Sequence, residues 1–471
     1  MSRINTNISS LQAIHRLALN QNDLSTRLQR LSTGLKINTG KDAPAGLIAS
    51  ETLRSEIAGI NQAVDNSQRA GNVINTAEGA LNEVSALLLQ VQGLTNQAAN
   101  TGALSPDEIA ANQLQVDAIL NSVNRISNTT QFNGVKLLNG SLDYTTSGVN
   151  KSDLTLTQIN AAKIPDNGTV SLAVQVLASA KVGTLSFTGS GIGATPTTIE
   201  LAGNVGTEQI SFAASAHNSA IAVAINQLRD ATGVSAAVQG NGQLKLYSTA
   251  YGSKDFVSVK TISGSFINGK TFGADAKVNI NGNAASVDGT TASVRTGDLD
   301  VTLDLTATFA QTTAGAGSTT SFYITGGGAR FQVGEKVERP GQVQLGIGSV
   351  SSTSLGDGTV GYLSTLASGG TNSLVSGNTI QAQKILDVAI RQVATLRGRL
   401  GAFQKDVLET NTNSLNVALE NVTASESAIR DADFASETAA LTRAQILVQA
   451  NTSVLAQANA TPQSVLSLLG R

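Results

Sequence analysis

The sequence predicts an α+β fold: long helical coiled-coil regions at the two ends of the chain, paired with each other, and a β-rich central insertion. Two observations predict it. Apolar residues recur at alternating spacings of three and four near both termini, whereas in the Gly-, Ser- and Thr-rich middle they alternate with polar residues. A stripe with a 3.5-residue period needs a partner helix, and alternation is typical of half-solvated strands. Because each end carries half of a seam, we expect the two ends to meet.

Composition narrows the classes of function. At 471 residues the chain is long enough for about three domains of ~150 residues each. Apolar residues make up 41% but aromatic residues only 3%, so the cores must be built from Ala, Leu, Val and Ile. A net charge of −2 offers no basic face for nucleic acid and no polybasic patch for a membrane. The absence of Cys excludes disulfides, thiolate metal sites and Cys nucleophiles.

The first residues, MSRINTNISSLQ, lack the apolar stretch of a cleaved secretory signal. No segment reaches the ~18 uninterrupted apolar residues that span a bilayer. We therefore expect no membrane insertion. We also expect that any export uses a route that does not read a cleaved signal.

Residues 1–35 predict one amphipathic helix. Apart from Gln21, its stripe is apolar and consists of Ile14, Leu17, Leu24, Leu28, Leu31 and Leu35. Two glycines and Pro44 disfavour helix over residues 32–44, so the first helix should end there.

A second long helix is predicted next by two heptad series: Ile60, Ser67, Ile74, Leu81, Leu88 and Val84, Val91, Ala98. After a turn at residues 100–103, Ser105-Pro106-Asp107-Glu108 matches a capping box with Pro at the first helical position. This motif predicts the start of a third helix.

From about residue 140 to 376, short alternating runs replace the helical period. Strands are predicted at residues 155–159, 169–174, 244–247, 277–280, 300–305 and 321–325. Tight turns are predicted at the Asn-Gly pairs 167–168, 241–242, 268–269 and 281–282. One helix is predicted inside this region, at residues 218–230.

Helical periodicity returns after residue 376. The next stripe consists of Leu386, Ala389, Val393, Leu396, Leu400, Phe403 and Val407, and continues with a drift in phase at Leu408, Leu415 and Val422. A last helix is predicted from about Glu437 to Ala460, ending before Pro462, with its stripe at Leu441, Val448 and Leu455. An apolar tail with Val465 and Leu468 follows.

Residues that carry chemistry are sparse. His15 and His217 are far apart in sequence and neither lies in a ligand cluster. The sequence contains no HExxH metal motif, no nucleophile elbow and no phosphate-loop lysine signature. These features predict no enzyme activity, no cofactor and no metal site.

The two pairs of stripes predict different behaviour. The inner pair, 57–126 with 384–425, is expected to form a core within the chain. The outer pair, 1–35 with 437–460, has no third helix of its own, and an isolated two-helix seam is marginal in water. We therefore expect the outer pair to become ordered only when it packs against other subunits.

Several sequence blocks carry a family resemblance. Those at the N-terminal end are INTNISSLQA (4–13), LQRLSTGLKINTGKDAPAGL (28–47), NTAEGALNEV (75–84) and TQFNGVKLL (130–138). Those at the C-terminal end are LGAFQ (400–404), ENVTASESAIRDADFASE (420–437), QILVQANTSVLAQAN (445–459) and PQSVLSLLGR (462–471). Together they resemble bacterial flagellin, the subunit of the flagellar filament. Residues 224–253 resemble the flagellin IN repeat, named for a pair of the Ile225-Asn226 type.

The resemblance implies a nested domain organisation. Residues 1–42 and 437–471 would be inner-tube terminal helices, 43–165 and 377–436 a helical outer-tube domain, and 166–376 β-rich surface-exposed domains. The resemblance also implies a helical homopolymer in the extracellular flagellum. Further implied partners are the flagellar type III export apparatus, an export chaperone, and hook-associated and cap proteins.

Flagellins that activate the animal flagellin-sensing Toll-like receptor share a charged stretch from which this chain departs. Gln90 and Gln92 stand where that stretch has arginines, Gly93 stands where it has glutamate, and Leu94 follows. Gln115 stands where the next helix has a further glutamate. Loss of these charge-assisted contacts predicts weak or no receptor activation.

The expected function is therefore that of a structural subunit that polymerises into the flagellar filament for swimming motility. Its polymerisation seam would combine the stripe of the first helix with Leu441, Val448, Leu455, Val465 and Leu468. A hook–filament junction protein is an alternative, because it shares the terminal pattern. A flagellin with an adhesive or glycan-binding central region is another.

Overall fold

The computed structural model of the chain describes residues 6–165, 168–312 and 318–469, and for residues 462–469 it describes the backbone alone. The chain divides into two compact units. The first comprises Met1–Arg69, Gln332–Gln342 and Asp406–Arg471, and the second comprises Ala70–Phe331 and Val343–Lys405.

The helices of the described residues are α1 Ile8–Thr33, α2 Pro44–Ala98, α3 Pro106–Thr129, α4 Asn218–Gln227, α5 Arg229–Thr232, α6 Ala307–Ala310, α7 Thr379–Ala402, α8 Thr410–Arg430 and α9 Phe434–Leu469. A π-helical segment, Phe403–Glu409, joins α7 to α8. In the described ranges, short 3₁₀ turns lie at Arg339–Gly341, Leu363–Leu366 and Leu374–Ser376.

The strands of the N-terminal half are β1 Gln131–Phe132, β2 Val135–Lys136, β3 Tyr144–Ser147, β4 Leu154–Ala162, β5 Val170–Ala178, β6 Thr184–Phe187, β7 Thr197–Gly203, β8 Thr207–Phe212 and β9 Val234–Val238. The next strands are β10 Leu244–Ser248, β11 Phe256–Ser263, β12 Gly269–Phe272, β13 Lys277–Ile280, β14 Asn283–Ala284, β15 Ser286–Asp288 and β16 Thr291–Arg295. The last are β17 Leu299–Leu305, β18 Thr319–Gly327, β19 Ala329–Gln332, β20 Gln342–Leu345, β21 Gly356–Asp357 and β22 Gly361–Tyr362. Helices at both ends and strands between them confirm the predicted fold class.

Helix α2 confirms the heptad pattern. All eight positions of the two predicted series are at most 2% exposed. Burying a Leu or Ile side chain contributes roughly 1.5–3 kcal/mol, so this seam is a major source of stability. Polar contacts join the C-terminal half of α2 to α7: the Arg397 guanidinium donates to Glu78 at 2.8 Å, and the Gln92 amide donates to Asp387 at 3.2 Å.

Helix α3 begins with the predicted capping box. The backbone N–H of Glu108 donates to Ser105 Oγ at 3.3 Å, and the N–H of Ser105 donates to the Glu108 carboxylate at 2.7 Å. Pro106 occupies the first helical position, where its missing N–H removes no helical hydrogen bond.

Two antiparallel sheets share the first hydrophobic core of the central region. Their strand orders are β14-β13-β5-β18-β3 and β15-β16-β17-β4. Alternate residues of β17 point into this core: Leu299, Val301, Leu303 and Leu305. Strands β3 and β4 lie before residue 166, where the predicted central domains begin, yet they pair with β18 and β17, which lie inside that range. The predicted division of the chain into inner-tube helices, an outer-tube domain and central domains stays a prediction.

A second core forms between β6-β10-β9, β12-β11-β7-β8 and helix α4. This part of the chain is an insertion whose two ends meet. Lys181 and Ala274 exchange two backbone hydrogen bonds of 2.8 Å at its base. We call residues 182–273 the inserted lobe and the Lys181–Ala274 bridge its neck.

The smaller predictions for the central region have mixed outcomes. All six predicted strands coincide with strands. Asn281 and Gly282, with φ of 49° and 80°, form the expected turn between β13 and β14. The prediction for Asn268 was wrong: Gly269 starts β12, and the Asn268 side chain accepts a hydrogen bond from the backbone of Thr261. The pair 167–168 lies partly outside the described residues, and the helix expected at 218–230 is divided between α4 and α5.

Two features of the C-terminal helices differ from the sequence-based expectation. Helix α9 starts at Phe434 instead of Glu437, because the Asp433 carboxylate accepts hydrogen bonds from the backbone of Ala435 and Ser436. It also continues through Pro462 instead of ending before it.

The π-helical segment accounts for the drift in the apolar stripe after Val407. A π-turn holds one more residue than an α-turn, so the positions that follow are shifted around the helix.

Candidate assembly surface on the paired terminal helices

Helix α1 has a capped start and a sharp end. The Asn7 side chain accepts a hydrogen bond from the Ser10 backbone N–H at 3.0 Å. At the other end, Gly34 adopts a left-handed conformation with φ of 74°, and its N–H donates to the Arg30 carbonyl at 2.8 Å. Local chemistry thus fixes both ends of the helix.

The inner face of the pair formed by α1 and α9 has a three–four spacing on each helix. On α1 the buried or half-buried side chains with this spacing are Ser10, Ala13, Leu17, Asn20, Leu24, Arg27 and Leu31. On α9 they include Glu437, Leu441, Ala444, Val448, Asn451, Leu455 and Ala458. Three predicted seam residues of each helix therefore lie on this face. Leu35 is half-buried just after α1.

Ile14 and Leu28, also predicted for the seam, lie outside this face. They are 52% and 49% exposed. Each follows directly after an inner-face residue, Ala13 or Arg27, and is therefore about 100° further around the helix. Within the chain these two side chains remain largely uncovered.

Further large apolar side chains are exposed on both helices. They are Ile8, Leu11 and Leu19 on α1 and Phe434, Ile446, Leu447 and Val454 on α9. We call this set, together with Ile14 and Leu28, the exposed apolar surface. The side chains of Val465 and Leu468, which complete the predicted seam, lie outside the described residues.

One buried ion cluster joins the two helices. The Glu437 carboxylate accepts hydrogen bonds from Arg27 at 2.9 Å and from Arg30 at 3.1 Å. Burial of Glu437 opposes its ionisation, but the hydrogen bonds from the two guanidinium groups outweigh burial and hold its pKa below the ordinary value. The hydrogen bond to Glu437 raises the pKa of Arg27. The cluster therefore favours charged, paired side chains at neutral pH.

Comparison with known proteins identifies the family. Residues 4–143 match the family model described as the bacterial flagellin N-terminal helical region, and residues 383–469 match the corresponding C-terminal helical region. Residues 184–250 match the flagellin hook IN motif. The chain is 33% identical to B-type flagellin from Pseudomonas aeruginosa and 32% identical to flagellin from Salmonella typhimurium, and each alignment covers 99% of both chains.

The chain belongs to the bacterial flagellin family. Among solved structures, hook-associated protein 3 from Legionella pneumophila is 14% identical to it and aligns over 80% of this chain and 97% of that chain. The TM-score of 0.31 is too low to support an argument from that superposition.

The flagellin regions correspond to distinct parts of the structure. The N-terminal region contains α1, α2 and α3, and the C-terminal region contains most of α7 and all of α8 and α9. The IN motif lies in the inserted lobe. There the Asn226 side chain exchanges two hydrogen bonds of 2.9 Å with the Ala236 backbone, and Ile225 beside it is fully buried. The Ile-Asn pair thereby ties α4 to β9.

The five flagellin positions considered for receptor contact differ in accessibility. Gln90 and Gly93 on α2 and Gln115 on α3 are exposed, whereas Gln92 and Leu94 are half-buried. The Gln92 amide donates to Asp387 on α7. Weak receptor activation stays a prediction.

Little else in the described part of the chain suggests a chemical site. His15 is exposed on α1, and His217 is exposed directly before α4. No group of three or more His, Cys, Asp or Glu among the described residues could hold a metal ion. None of the described helices combines the length and apolar character needed to cross a membrane.

Sequence reasoning missed the polar residues that join α1 to α9. Arg27 occupies a position on the inner stripe, and this interruption was the available signal. Its partner Glu437 lies 410 positions away, so periodicity alone did not pair them. The role of Asn7 was missed for the same reason.

Proposed function

We propose that the chain is a structural subunit that polymerises into the bacterial flagellar filament, outside the cell, for swimming motility. Membership of the flagellin family supports this function. The observation that carries it is the exposed apolar surface on a helix pair built from both ends of the chain. Large exposed apolar patches are typical of interfaces, and we propose that these side chains contribute to one between subunits.

Burial of this surface against neighbouring subunits would drive assembly. Each Ile or Leu that becomes covered contributes roughly 1.5–3 kcal/mol. Ordering the backbone costs about 1–2 kcal/mol per residue, so a helix pair with one covered face is only marginally stable. We propose that α1 and α9 become fully ordered in the assembled tube, which disfavours polymerisation elsewhere.

Seeded elongation tests the proposal. We expect purified chain to elongate sheared filament seeds, and we expect Ile14→Asp to reduce elongation at least tenfold. A carboxylate at this exposed position spares the inner face but opposes burial against another subunit. The rate of filament growth is measured by light scattering and electron microscopy.

Val223→Asp is the matched control. Val223 is 59% exposed on α4, close to the 52% of Ile14, but lies in the inserted lobe. This variant should elongate seeds like the unmodified chain. Normal elongation by Ile14→Asp would contradict the proposal.

A junction protein remains the alternative function. Full-length similarity to curated flagellins favours the filament subunit. Immunolabelling separates the two functions: a filament subunit is labelled along the whole filament, and a junction protein only at its base.

We further propose that the chain is exported through the flagellar type III apparatus with an export chaperone and meets hook-associated and cap proteins. It has no enzymatic role in this proposal. We expect weak or no activation of the flagellin-sensing Toll-like receptor. A reporter-cell assay checks the last point, with Gln90→Arg/Gln92→Arg/Gly93→Glu as the gain-of-charge comparison. The expectation of weak activation would be refuted if the unmodified chain were as potent as a flagellin that activates the receptor.

A further inference from the structure

Proline inside a helix leaves one carbonyl without its usual donor. Pro462 lies within α9, and a proline has no N–H to donate to the carbonyl four residues earlier, that of Ala458. An interior proline costs a helix about 3 kcal/mol relative to alanine. A substitute donor at Ala458 would offset part of this cost.

Asn7 supplies that donor. Its Nδ2 donates to the Ala458 carbonyl at 2.8 Å, while its Oδ1 accepts from the Ser10 backbone at 3.0 Å. One amide thus caps the start of α1 and replaces the hydrogen bond missing from α9. Next to it, Ser10 Oγ donates to Asn459 Oδ1 at 2.7 Å.

The apolar residues of the inner face do not by themselves fix how the two helices align. Leu17, Leu24 and Leu31 recur every seven residues on α1, and Leu441, Val448 and Leu455 recur every seven on α9. Sliding one helix by a heptad, about 10.5 Å, would again place apolar residues opposite each other. Polar contacts at unique positions are needed to exclude the slipped alignment.

Two such contacts lie at opposite ends of the pair. Asn7 and Arg27 are 20 positions apart on α1, and their partners Ala458 and Glu437 are 21 positions apart on α9. Both spans are about 30 Å along a helix. The two contacts therefore agree on one antiparallel alignment.

We propose that Asn7 is a positioning residue that sets the register of α1 against α9 by donating to the carbonyl that Pro462 leaves free. This inference rests on the proposed function, because the register determines which side chains the pair presents to the next subunit. It makes Asn7 and Pro462 energetically coupled although they lie at opposite ends of the sequence.

Disulfide trapping reads the register directly, since the chain contains no cysteine of its own. The pair Ser10→Cys/Asn459→Cys reports the observed alignment. Thr452 lies seven residues before Asn459, so Ser10→Cys/Thr452→Cys reports a slip of one heptad. Rates of oxidative cross-linking are measured on soluble chain and on filaments.

A cycle of variants isolates the Asn7 donor. Asn7→Asp keeps the capping oxygen but loses the N–H donor, and should lower cross-linking of the native pair about fivefold while raising that of the slipped pair. Pro462→Ala restores the helical donor for Ala458. Adding Pro462→Ala to Asn7→Asp should therefore bring native cross-linking to within about twofold of Pro462→Ala alone.

Equal cross-linking by all members of the cycle would overturn the inference, as would an effect of Asn7→Asp that is as large in the Pro462→Ala background as in the unmodified chain. The unmodified chain tests the proposed function separately, through its ability to elongate seeds. The ratio of native to slipped cross-linking is read on filaments, where the pair is fully ordered, and on the fraction of soluble chain in which the marginally stable pair forms, so it decides the role of Asn7 even where elongation fails.

Discussion

At the scale of single residues, Glu437 shows how a charged side chain can link two helices whose contact is mainly apolar. Its side chain is 10% exposed, so an unpaired carboxylate there would be costly. Arg27 and Arg30, one turn apart on α1, together supply the compensating charge. The two helices are thereby linked at a buried position, where hydrogen bonds from both guanidinium groups keep the carboxylate ionised.

The lowered pKa of Glu437 predicts an acid-sensitive contact. A carboxyl group whose pKa is lower in the folded state contributes stability above its unfolded value, near 4.5, and that stability is lost as the pH falls through the folded pKa. Protection of α1 and α9 from protease in filaments should therefore decline below about pH 4.5. Protease resistance between pH 3 and pH 7 measures it.

Glu437→Gln should weaken the pair by about 1–3 kcal/mol at pH 7 and flatten this pH dependence. Glu420→Gln, at an exposed position of α8, is the matched control and should change neither. A pH profile unchanged by Glu437→Gln would show that another group is responsible.

At the scale of elements, α2 shows regular heptad packing. Its buried positions follow the heptad from Ile60 to Ala98, and the intervening positions hold exposed side chains such as Leu89. One helix therefore contains leucines in two very different environments. This contrast provides an internal calibration of what burial contributes.

Leu81→Ala should lower the free energy of unfolding by about 2–5 kcal/mol, because Leu81 is fully buried and truncation leaves a cavity. Leu89→Ala makes the same chemical change at a side chain that is 54% exposed and should cost less than about 1 kcal/mol. Urea unfolding followed by the helical circular dichroism signal compares the two. Equal losses would mean that the heptad positions do not dominate stability.

At the scale of the whole molecule, the inserted lobe is attached through a narrow neck. Lys181 and Ala274 form a backbone bridge, so its entry and exit points are adjacent. The lobe has its own hydrophobic core. Its folding should therefore be separable from that of the first hydrophobic core of the central region.

Replacing residues 182–273 with Gly-Ser-Gly should leave the first hydrophobic core of the central region folded and seeded elongation intact. A loss of about 1–3 kcal/mol is expected, because Tyr251 packs against the first core and is removed with the lobe. Thermal unfolding and elongation assays measure both effects. Deleting only residues 182–250 would leave β11 without its partner β7, and this variant should aggregate. Unfolding of the variant that lacks residues 182–273 would show that the two cores do not fold separately.

The sequence predicted features governed by short-range patterns and missed those governed by long-range polar contacts. Heptads in α2 and the capping box before α3 depend on residues a few positions apart. The pairing of β4 with β17 and the contact between Asn7 and Ala458 join residues more than a hundred positions apart. Periodicity placed the stripe of α1 at Ile14 and Leu28, whereas the residues of the face shared with α9 at these levels are Ala13 and Arg27, because adjacent positions fit a broad stripe almost equally well.

The antiparallel pairing of α1 with α9 also dictates an order of events during synthesis. Glu437 is made 410 residues after Arg27, so the first helix emerges from the ribosome long before its partner exists. Closing so long a loop costs entropy, which the contacts formed later along the chain, the finished seam included, must offset. Any cellular factor that binds the N-terminal segment of the nascent chain therefore binds an amphipathic helix before its partner helix has been synthesised.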